Sequence, residues 1–381
     1  MDFSWTQEQT EFRQTITKFA QKELNNDLIE HDKEGTFNQE GWEKCGEFGI
    51  HGLPIPQEYG GIGADPLTTV YALESLGYGC KDNGLVFSIN AHMWTCEIPI
   101  FTFGTEEQKR KYLPKLCKGK IIGGNAMTEP NSGSDAYSLR TIAEKKGDRY
   151  LLNGSKIFVT NGTIADVMLI FASVDRSKGV YGITGFLVEK DFPGLSVSRK
   201  IEKMGIRTSP MAEVFLDYCE VPVENCLGKE GAGFIIFSRS MEWERSCILA
   251  SAIGSMERQL ENCIQYARQR KQFGQSIGKF QLVASKIVDM KVRLETARSL
   301  LYKVGWLREK GKSVLMEAAM AKLHISECWV ASCLDAIQIH GGYGYTTEYE
   351  LERELRDAIG SKLYSGTSEI QRLIIAKFMG L

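Results

Sequence analysis

RYLLNGSKIFVTNG, residues 149–162, marks the point where the chain changes period. Two β-rich runs flank Asn153-Gly154, and that dipeptide between such runs predicts a hairpin turning there. Downstream, ADVMLIFASV (165–174), YGITGFLVEK (181–190), GLSVSRK (194–200) and AEVFLDYCEVP (212–222) read as further short strands. Together they define a β domain over 121–230.

Outward from that block the period is helical. On the N-terminal side, Phe12, Ile16, Phe19 and Leu24 keep one face of a first helix, and LTTVYALESLG (67–77) and EEQKRKYLPKLCKG (106–119) add others with glycine stops. These make residues 1–120 a helical domain. The glycine-rich YGGIGAD (59–65) does not follow a strand as GxGxxG, so it carries no dinucleotide reading. On the C-terminal side, Leu249, Ile253, Met256, Leu260, Ile264 and Ala267 step by three or four. SLLYKVGWLREKG (299–311) and the run 315–342 supply two more helices, so 231–381 reads as a helical bundle. Helices, then strands, then helices predict an α+β fold.

Composition narrows the function. Of 381 residues, 43% are hydrophobic and 25% charged, as in ordinary globular proteins, and the net charge is −2. No basic excess points to nucleic acid or an anionic membrane. No segment approaches the roughly 20 apolar residues of a bilayer span. The start, MDFSWTQEQTEFRQ, lacks the basic and apolar regions of a signal peptide, so a cytoplasmic protein is expected. The ten cysteines form no CxxC, and neither Cys219/Cys226 nor Cys328/Cys333 has partners at zinc spacing. They read as reduced, mostly buried thiols. The five histidines form no HExxH, and no metal site is expected.

Two segments concentrate small and hydroxyl residues. AMTEPNSGSDAYS (126–138) lies between the first helical region and the strands, where backbone N–H groups and hydroxyls can approach a phosphate or a ring edge. QIHGGYGYTTEYELERELRD (338–357) joins a glycine turn to a charged helix. Taken singly, each is an ordinary turn.

Taken together, and with LPIPQEYGGIGADPLTTVYALESLG (53–77), GSKIFVTNG (154–162), RQRKQFGQSIGKFQ (268–281) and YSGTSEIQR (364–372), they resemble the acyl-CoA dehydrogenase family in order and separation. The resemblance covers essentially the whole chain. It implies a C-terminal four-helix bundle and FAD lying between that bundle and the β domain. By the same resemblance, Asn125, Met127 and Thr128 run along the flavin edge, with Gly133 and Ser134 toward the pyrophosphate. Phe158 and Thr160 flank the flavin, Phe158 standing where many relatives have Trp. Arg270, Gln272, Phe273, Phe280 and Gln281 match residues that reach the FAD of a neighbouring subunit. Gln338, Gly341 and Gly342 match the contact to that cofactor's far end, and Thr367 and Glu369 lie on the phosphate and adenosine side. A site that crosses a subunit boundary implies a homo-oligomer, usually a tetramer.

The family's reaction removes an α-proton beside a thioester while flavin takes a β-hydride, so a buried carboxylate is required. Most relatives carry that Glu as YEGT, but this chain reads Tyr364-Ser365-Gly366-Thr367. SMEWERSCILA (240–250) resembles the minority, isovaleryl-type branch that places its base on the first bundle helix, and Glu244 falls on that position. The rival is Glu242, two residues away and so turned by about 200°. The alternative reading of Glu244 is a surface charge paired with Arg245. The Ser365 N–H matches the family's backbone donor to the thioester carbonyl.

FSINAHMWTCEIP (87–99) matches the segment lining relatives' pocket floor. Its Asn90 and Trp94, with Trp243, Arg245, Tyr364 and Ser365, are candidate pocket residues that favour a short or cyclic acyl group. The length, YSGT and Glu244 in EWERS together resemble a branch that oxidises prolyl groups on acyl or peptidyl carrier proteins, with oxygen as electron acceptor. A short branched-chain acyl-CoA dehydrogenase using an electron-transfer flavoprotein is the alternative. A non-catalytic FAD-binding assembly member of the family is an alternative of another class.

Overall fold

In the computed structural model, which describes residues 4–381, Thr6 opens the first helix with a capping box to Gln9. The first three residues of the polar start lie outside the described residues. Seven helices follow in the N-terminal region: α1 (Gln7–Glu23), α2 (Leu28–Glu34), α3 (Gln39–Phe48), α4 (Pro66–Gly79), α5 (Asn83–His92), α6 (Ile98–Phe103) and α7 (Glu106–Leu116). Asp65 caps α4 with Pro66 in its first turn, so the glycine-rich 59–65 segment is a helix lead-in. Between α5 and α6 the chain widens into a π turn, Met93–Glu97.

Eight strands form one sheet: β1 (Gly123–Ala126), β2 (Ile142–Lys146), β3 (Arg149–Thr160), β4 (Val167–Ser173), β5 (Ile183–Glu189), β6 (Leu195–Val197), β7 (Met211–Pro222) and β8 (Cys226–Leu227). Their order is β6-β7-β3-β2-β4-β5-β8, with β1 paired parallel to β4. The expected hairpin at Asn153-Gly154 is corrected. β3 runs straight through that dipeptide, and the turn falls at Gly147-Asp148, where Lys146 pairs with Arg149. At Asn153 the pairing with β7 slips instead, from Leu152–Cys219 to Gly154–Leu216. Asn153 Oδ1 accepts the Tyr218 N–H at 2.8 Å, and a Cβ on Gly154 would come within 2.5 Å of the Thr141 hydroxyl. The dipeptide therefore serves a bulge under close strand packing. A second slip, between Lys156–Val214 and Val159–Ala212, sets Phe158 in a left-handed conformation.

The C-terminal region holds α8 (Gly233–Cys247), α9 (Ala250–Gln269), a small hairpin β9 (Lys271–Gln272) and β10 (Gln275–Ser276), α10 (Gln281–Glu309), α11 (Leu315–His340), α12 (Leu351–Gly360) and α13 (Ser368–Phe378). α11 packs against α8, α9, α10, α12 and α13. One apolar core joins the two helical regions, and a second lies on the other face of the sheet. Fully buried Glu74 on α4 accepts from Arg298 Nε (2.9 Å) and Tyr302 OH (2.7 Å) on α10, fixing the N-terminal helices to the bundle. No helix among the described residues is long and apolar enough to cross a membrane.

Candidate active site

α8 carries two buried carboxylates that face apart. Glu242 Oε1 accepts the Val314 N–H at 3.1 Å, and its Oε2 lies 3.1 Å from Arg239 Nη1. Two residues on, Glu244 Oε1 accepts from Ser365 Oγ at 2.5 Å, while its Oε2 is buried with no partner. The surface-charge reading of Glu244 is corrected. The residue is only 8% exposed, and no ion pair joins it to Arg245 among the described residues. Burial pushes its carboxyl pKa upward, against the Ser365 hydroxyl and the charges of Arg245 and Lys322. Arg245 is turned toward the Ser365 carbonyl, with Nε at 3.3 Å.

The turn carrying Ser365 links α12 to α13. Tyr364 packs on Phe87 with ring centroids 4.6 Å apart, and Gly366 takes the positive φ that ends the turn. Beside the carboxylate, Trp243 stacks on Trp94 at 5.6 Å, and the Arg308 guanidinium lies 4.0 Å over the Trp243 ring. Trp94 Nε1 donates to Asn90 Oδ1 at 2.8 Å, and Asn90 Nδ2 donates to the Val86 carbonyl. Asn90 and Trp94 are fully buried and satisfy each other, so they form packed wall behind α8 rather than polar groups turned to an opening.

On the sheet side, β1 leads into the 126–138 loop. Asn125 Nδ2 donates to the Thr95 carbonyl, tying β1 to the π turn. Met127 and Thr128 lie beside β3: the Ile157 N–H donates to the Thr128 carbonyl, and Lys156 Nζ donates to the Met127 carbonyl. Lys156 has no exposed surface and also reaches Glu129 Oε1 at 2.8 Å; burial lowers its pKa to about 8. Glu129 in turn accepts from the Thr141 N–H and hydroxyl, so this buried pair clamps the loop to β3. Gly133 and Ser134 sit at the exposed tip, and a Cβ on Gly133 would meet nothing within 4 Å. Phe158, 58% exposed at its bulge, presents an aromatic ring on the sheet surface near half-buried Thr160. Thr367 caps α13, its hydroxyl accepting from the Ile370 N–H, and Glu369 follows in the exposed first turn.

The remaining candidates meet elsewhere. Arg270, Gln272, Gly341 and Gly342 line one cavity of about 490 Å³ with Tyr266 and Tyr343, the Arg270 guanidinium 5.6 Å above the Tyr343 ring. A Cβ on Gly341 or Gly342 would meet no atom within 4 Å. Gln338 is exposed two residues before the end of α11. Phe273 tops the β9–β10 hairpin at φ 49° and 93% exposed, with Phe280 edge-on at 6.0 Å and Gln281 exposed at the start of α10. None of the residues from 125 to 160 lines this cavity.

Sequence reasoning missed Lys322, Gln371 and Lys156. Lys322 Nζ donates to the Gly366 carbonyl at 2.8 Å, and Gln371 Nε2 donates to the carbonyls of Ser365 and Gly366. Burial lowers the Lys322 pKa to about 8. A lone lysine in the apolar run MEAAMAKLHIS and a lysine inside the strand GSKIFV were the available signals.

Three domain descriptions match the chain: Acyl-CoA dehydrogenase N-terminal domain over 6–120, middle domain over 124–219 and C-terminal domain over 231–380. Among curated proteins it is 43% identical to the L-prolyl-[peptidyl-carrier protein] dehydrogenase of Pseudomonas fluorescens, covering all of both chains. It is also 43% identical to the short-chain-specific acyl-CoA dehydrogenase of Clostridium acetobutylicum, covering 99% of each. Among solved structures it superposes on the prolyl acyl carrier protein oxidase AnaB with a TM-score of 0.98 and 61% identity, covering 99% of this chain and all of that one. PigA with FAD and proline superposes with a TM-score of 0.98 and 40% identity, all of both chains covered. With domain matches along nearly its whole length and full-length relatives above 40% identity, the chain belongs to the acyl-CoA dehydrogenase family.

Proposed function

We propose that this protein is an FAD-dependent dehydrogenase of an L-prolyl group tethered to a carrier protein, yielding a pyrroline-carboxyl thioester, with Glu244 as base and oxygen as electron acceptor. The single observation that carries the mechanism is the buried Glu244 carboxylate with one oxygen held by Ser365 and the other without a partner. The substrate reading is supported by the prolyl-carrier relatives and by the AnaB likeness at 61% identity.

The residues fit FAD. An exposed Phe158 ring offers a stacking face, the tip at Gly133 is open to a phosphate, and the Gly341–Gly342 turn leaves room against Arg270. What the cofactor supplies when bound is an acceptor for the hydride leaving the β-carbon. Glu244 Oε2 takes the α-proton, and the electron pair of that C–H bond becomes the new double bond. The Ser365 N–H, which has no acceptor among the described residues, donates to the thioester carbonyl as negative charge builds there. Burial serves the base twice, excluding water and lifting its pKa toward the working range. Half-buried Trp243, next to Glu244 on α8 and backed by the buried Trp94, takes space there, which suits a small ring rather than a long chain.

Arg270, Gln272, Phe273, Phe280 and Gln281 contact the cofactor of a neighbouring copy, so the working unit is a homo-oligomer, a tetramer. The nearly full exposure of Phe273 supports this assignment. The substrate test is anaerobic mixing of the yellow protein with prolyl-carrier protein and, separately, with isovaleryl-CoA. Bleaching by the prolyl thioester is expected. Bleaching by isovaleryl-CoA alone would favour the branched-chain reading, and bleaching by neither would favour a non-catalytic assembly role.

A further inference from the structure

Ser365 stands at φ 56°, a left-handed conformation that serine rarely adopts. Contacts from three helices hold it there. Arg245 on α8 and Gln371 on α13 donate to its carbonyl, while Lys322 on α11 and the same Gln371 amide donate to the carbonyl of Gly366. A backbone strained in this way and restrained on both of its carbonyls aims one group with little freedom. That group is the Ser365 hydroxyl, and it meets Glu244 Oε1 at 2.5 Å.

We infer that Ser365 is the positioning residue of the base: its hydroxyl fixes Glu244 Oε1 and leaves Oε2 as the oxygen that receives the substrate proton. The inference rests on the reading of Glu244 as base and adds to it which oxygen acts and what orients it. A carboxylate free to rotate would offer either oxygen at varying angles, whereas one anchored oxygen leaves the other in a single place. The hydroxyl also sets the charge of the carboxyl, because a donor to an ionised carboxylate favours that form. The other charged and titratable groups that act on Glu244 are Arg245 on its own helix, Lys322 from α11 and Tyr364 from the turn. Among the described residues, Ser365 alone hydrogen-bonds to the Glu244 carboxylate.

Two substitutions separate the hydroxyl from the turn. Ser365→Ala removes the hydroxyl and keeps the backbone strain; Ser365→Gly removes the hydroxyl and relieves it. With prolyl-carrier protein under anaerobic conditions, the rate of flavin reduction is followed against pH. Both variants are expected to retain FAD and to shift the acid limb upward by about one pH unit, a roughly tenfold loss of rate on the acid side. The same carboxyl is read without turnover by infrared titration of the substrate-free holoprotein, with Glu244→Gln as the subtraction. Its protonated-carboxyl band is expected to persist to higher pH in both variants. An unmoved limb and band in both variants overturns the inference. So does a glycine variant that matches the native protein while alanine does not, since that assigns the effect to the turn. Failure of the underlying reading looks different, because Glu244→Gln would then still reduce its flavin.

Discussion

Around Glu244 the polar groups are buried or half-buried and mostly answered from within the same chain, whereas around Gly341 the candidate residues lie open. The Ser365 carbonyl, the Gly366 carbonyl and one oxygen of Glu244 all have partners on α8, α11, α13 or the turn itself. The cavity at Arg270, Gln272 and the Gly341–Gly342 turn has an exposed rim and glycines whose missing side chains face empty space. The difference separates two tasks. Proton abstraction needs a group fixed before substrate arrives, and hydrogen bonds from three helices and the turn supply that restraint. Holding a long cofactor needs space and donors that are completed on binding.

The largest expected effect lies on the buried side. Glu244→Ala should keep the fold and the yellow colour yet lose flavin reduction by about 10²–10⁴-fold, as removal of a positioned general base does. Product formation from prolyl-carrier protein, normalised to bound FAD, measures it. On the open side, Arg270→Ala should leave the proton step intact and weaken FAD retention by about ten- to a hundredfold, since a charge-assisted, two-pronged contact to phosphate is lost. Dilution of the holoprotein, followed by flavin fluorescence, reads that loss. Were Arg270→Ala to abolish the chemistry at full FAD occupancy, the two regions would not be separable as described.

Glu242 sharpens the comparison further, because it shares the helix and the burial but not the face. Glu242→Ala leaves the Val314 N–H and the nearby Arg308 without their carboxylate, so it should cost about 1–3 kcal/mol of stability while changing the reduction rate little. Thermal melts beside single-turnover rates test this. The smallest effect is also the most particular. The raised pKa of Glu244 means that, above the ordinary carboxyl pKa, the folded chain keeps a proton that the unfolded chain releases. Stability therefore falls as pH rises through that window toward the folded pKa, and the ionised group is a burden above it. Glu244→Gln removes the burden, so its melting midpoint should exceed the native one by about 2 °C at pH 8, with the difference shrinking in acid.

The helical regions were legible because amphipathic period and caps are local: Ile16, Ile253 and Met256 are buried as their spacing required. The Asn153-Gly154 hairpin was misread because a bulge and a turn draw on the same residues. What decided between them was the approach of Thr141 and Tyr218, from segments distant in the chain. At the site, the proposal of Glu244 as base comes only from the family pattern, through the serine standing where YEGT has its carboxylate. Its hydrogen bond to Ser365 was not legible, since 121 positions of chain separate the two and only the packing of α8, α11 and α13 brings them together. Asn90 and Trp94 were read as pocket lining from alignment to relatives. A polar pair that satisfies itself in the core has the same sequence signature as one that faces a ligand.

The central claim, that Glu244 and not Glu242 takes the α-proton, is tested most directly by single-turnover flavin reduction. Native protein, Glu244→Gln and Glu242→Gln, each loaded with FAD, are mixed anaerobically with prolyl-carrier protein, and the flavin absorbance is followed. The account predicts rapid bleaching in the native protein and in Glu242→Gln, and a rate lower by about 10²-fold or more in Glu244→Gln. Bleaching of Glu244→Gln at the native rate would contradict it.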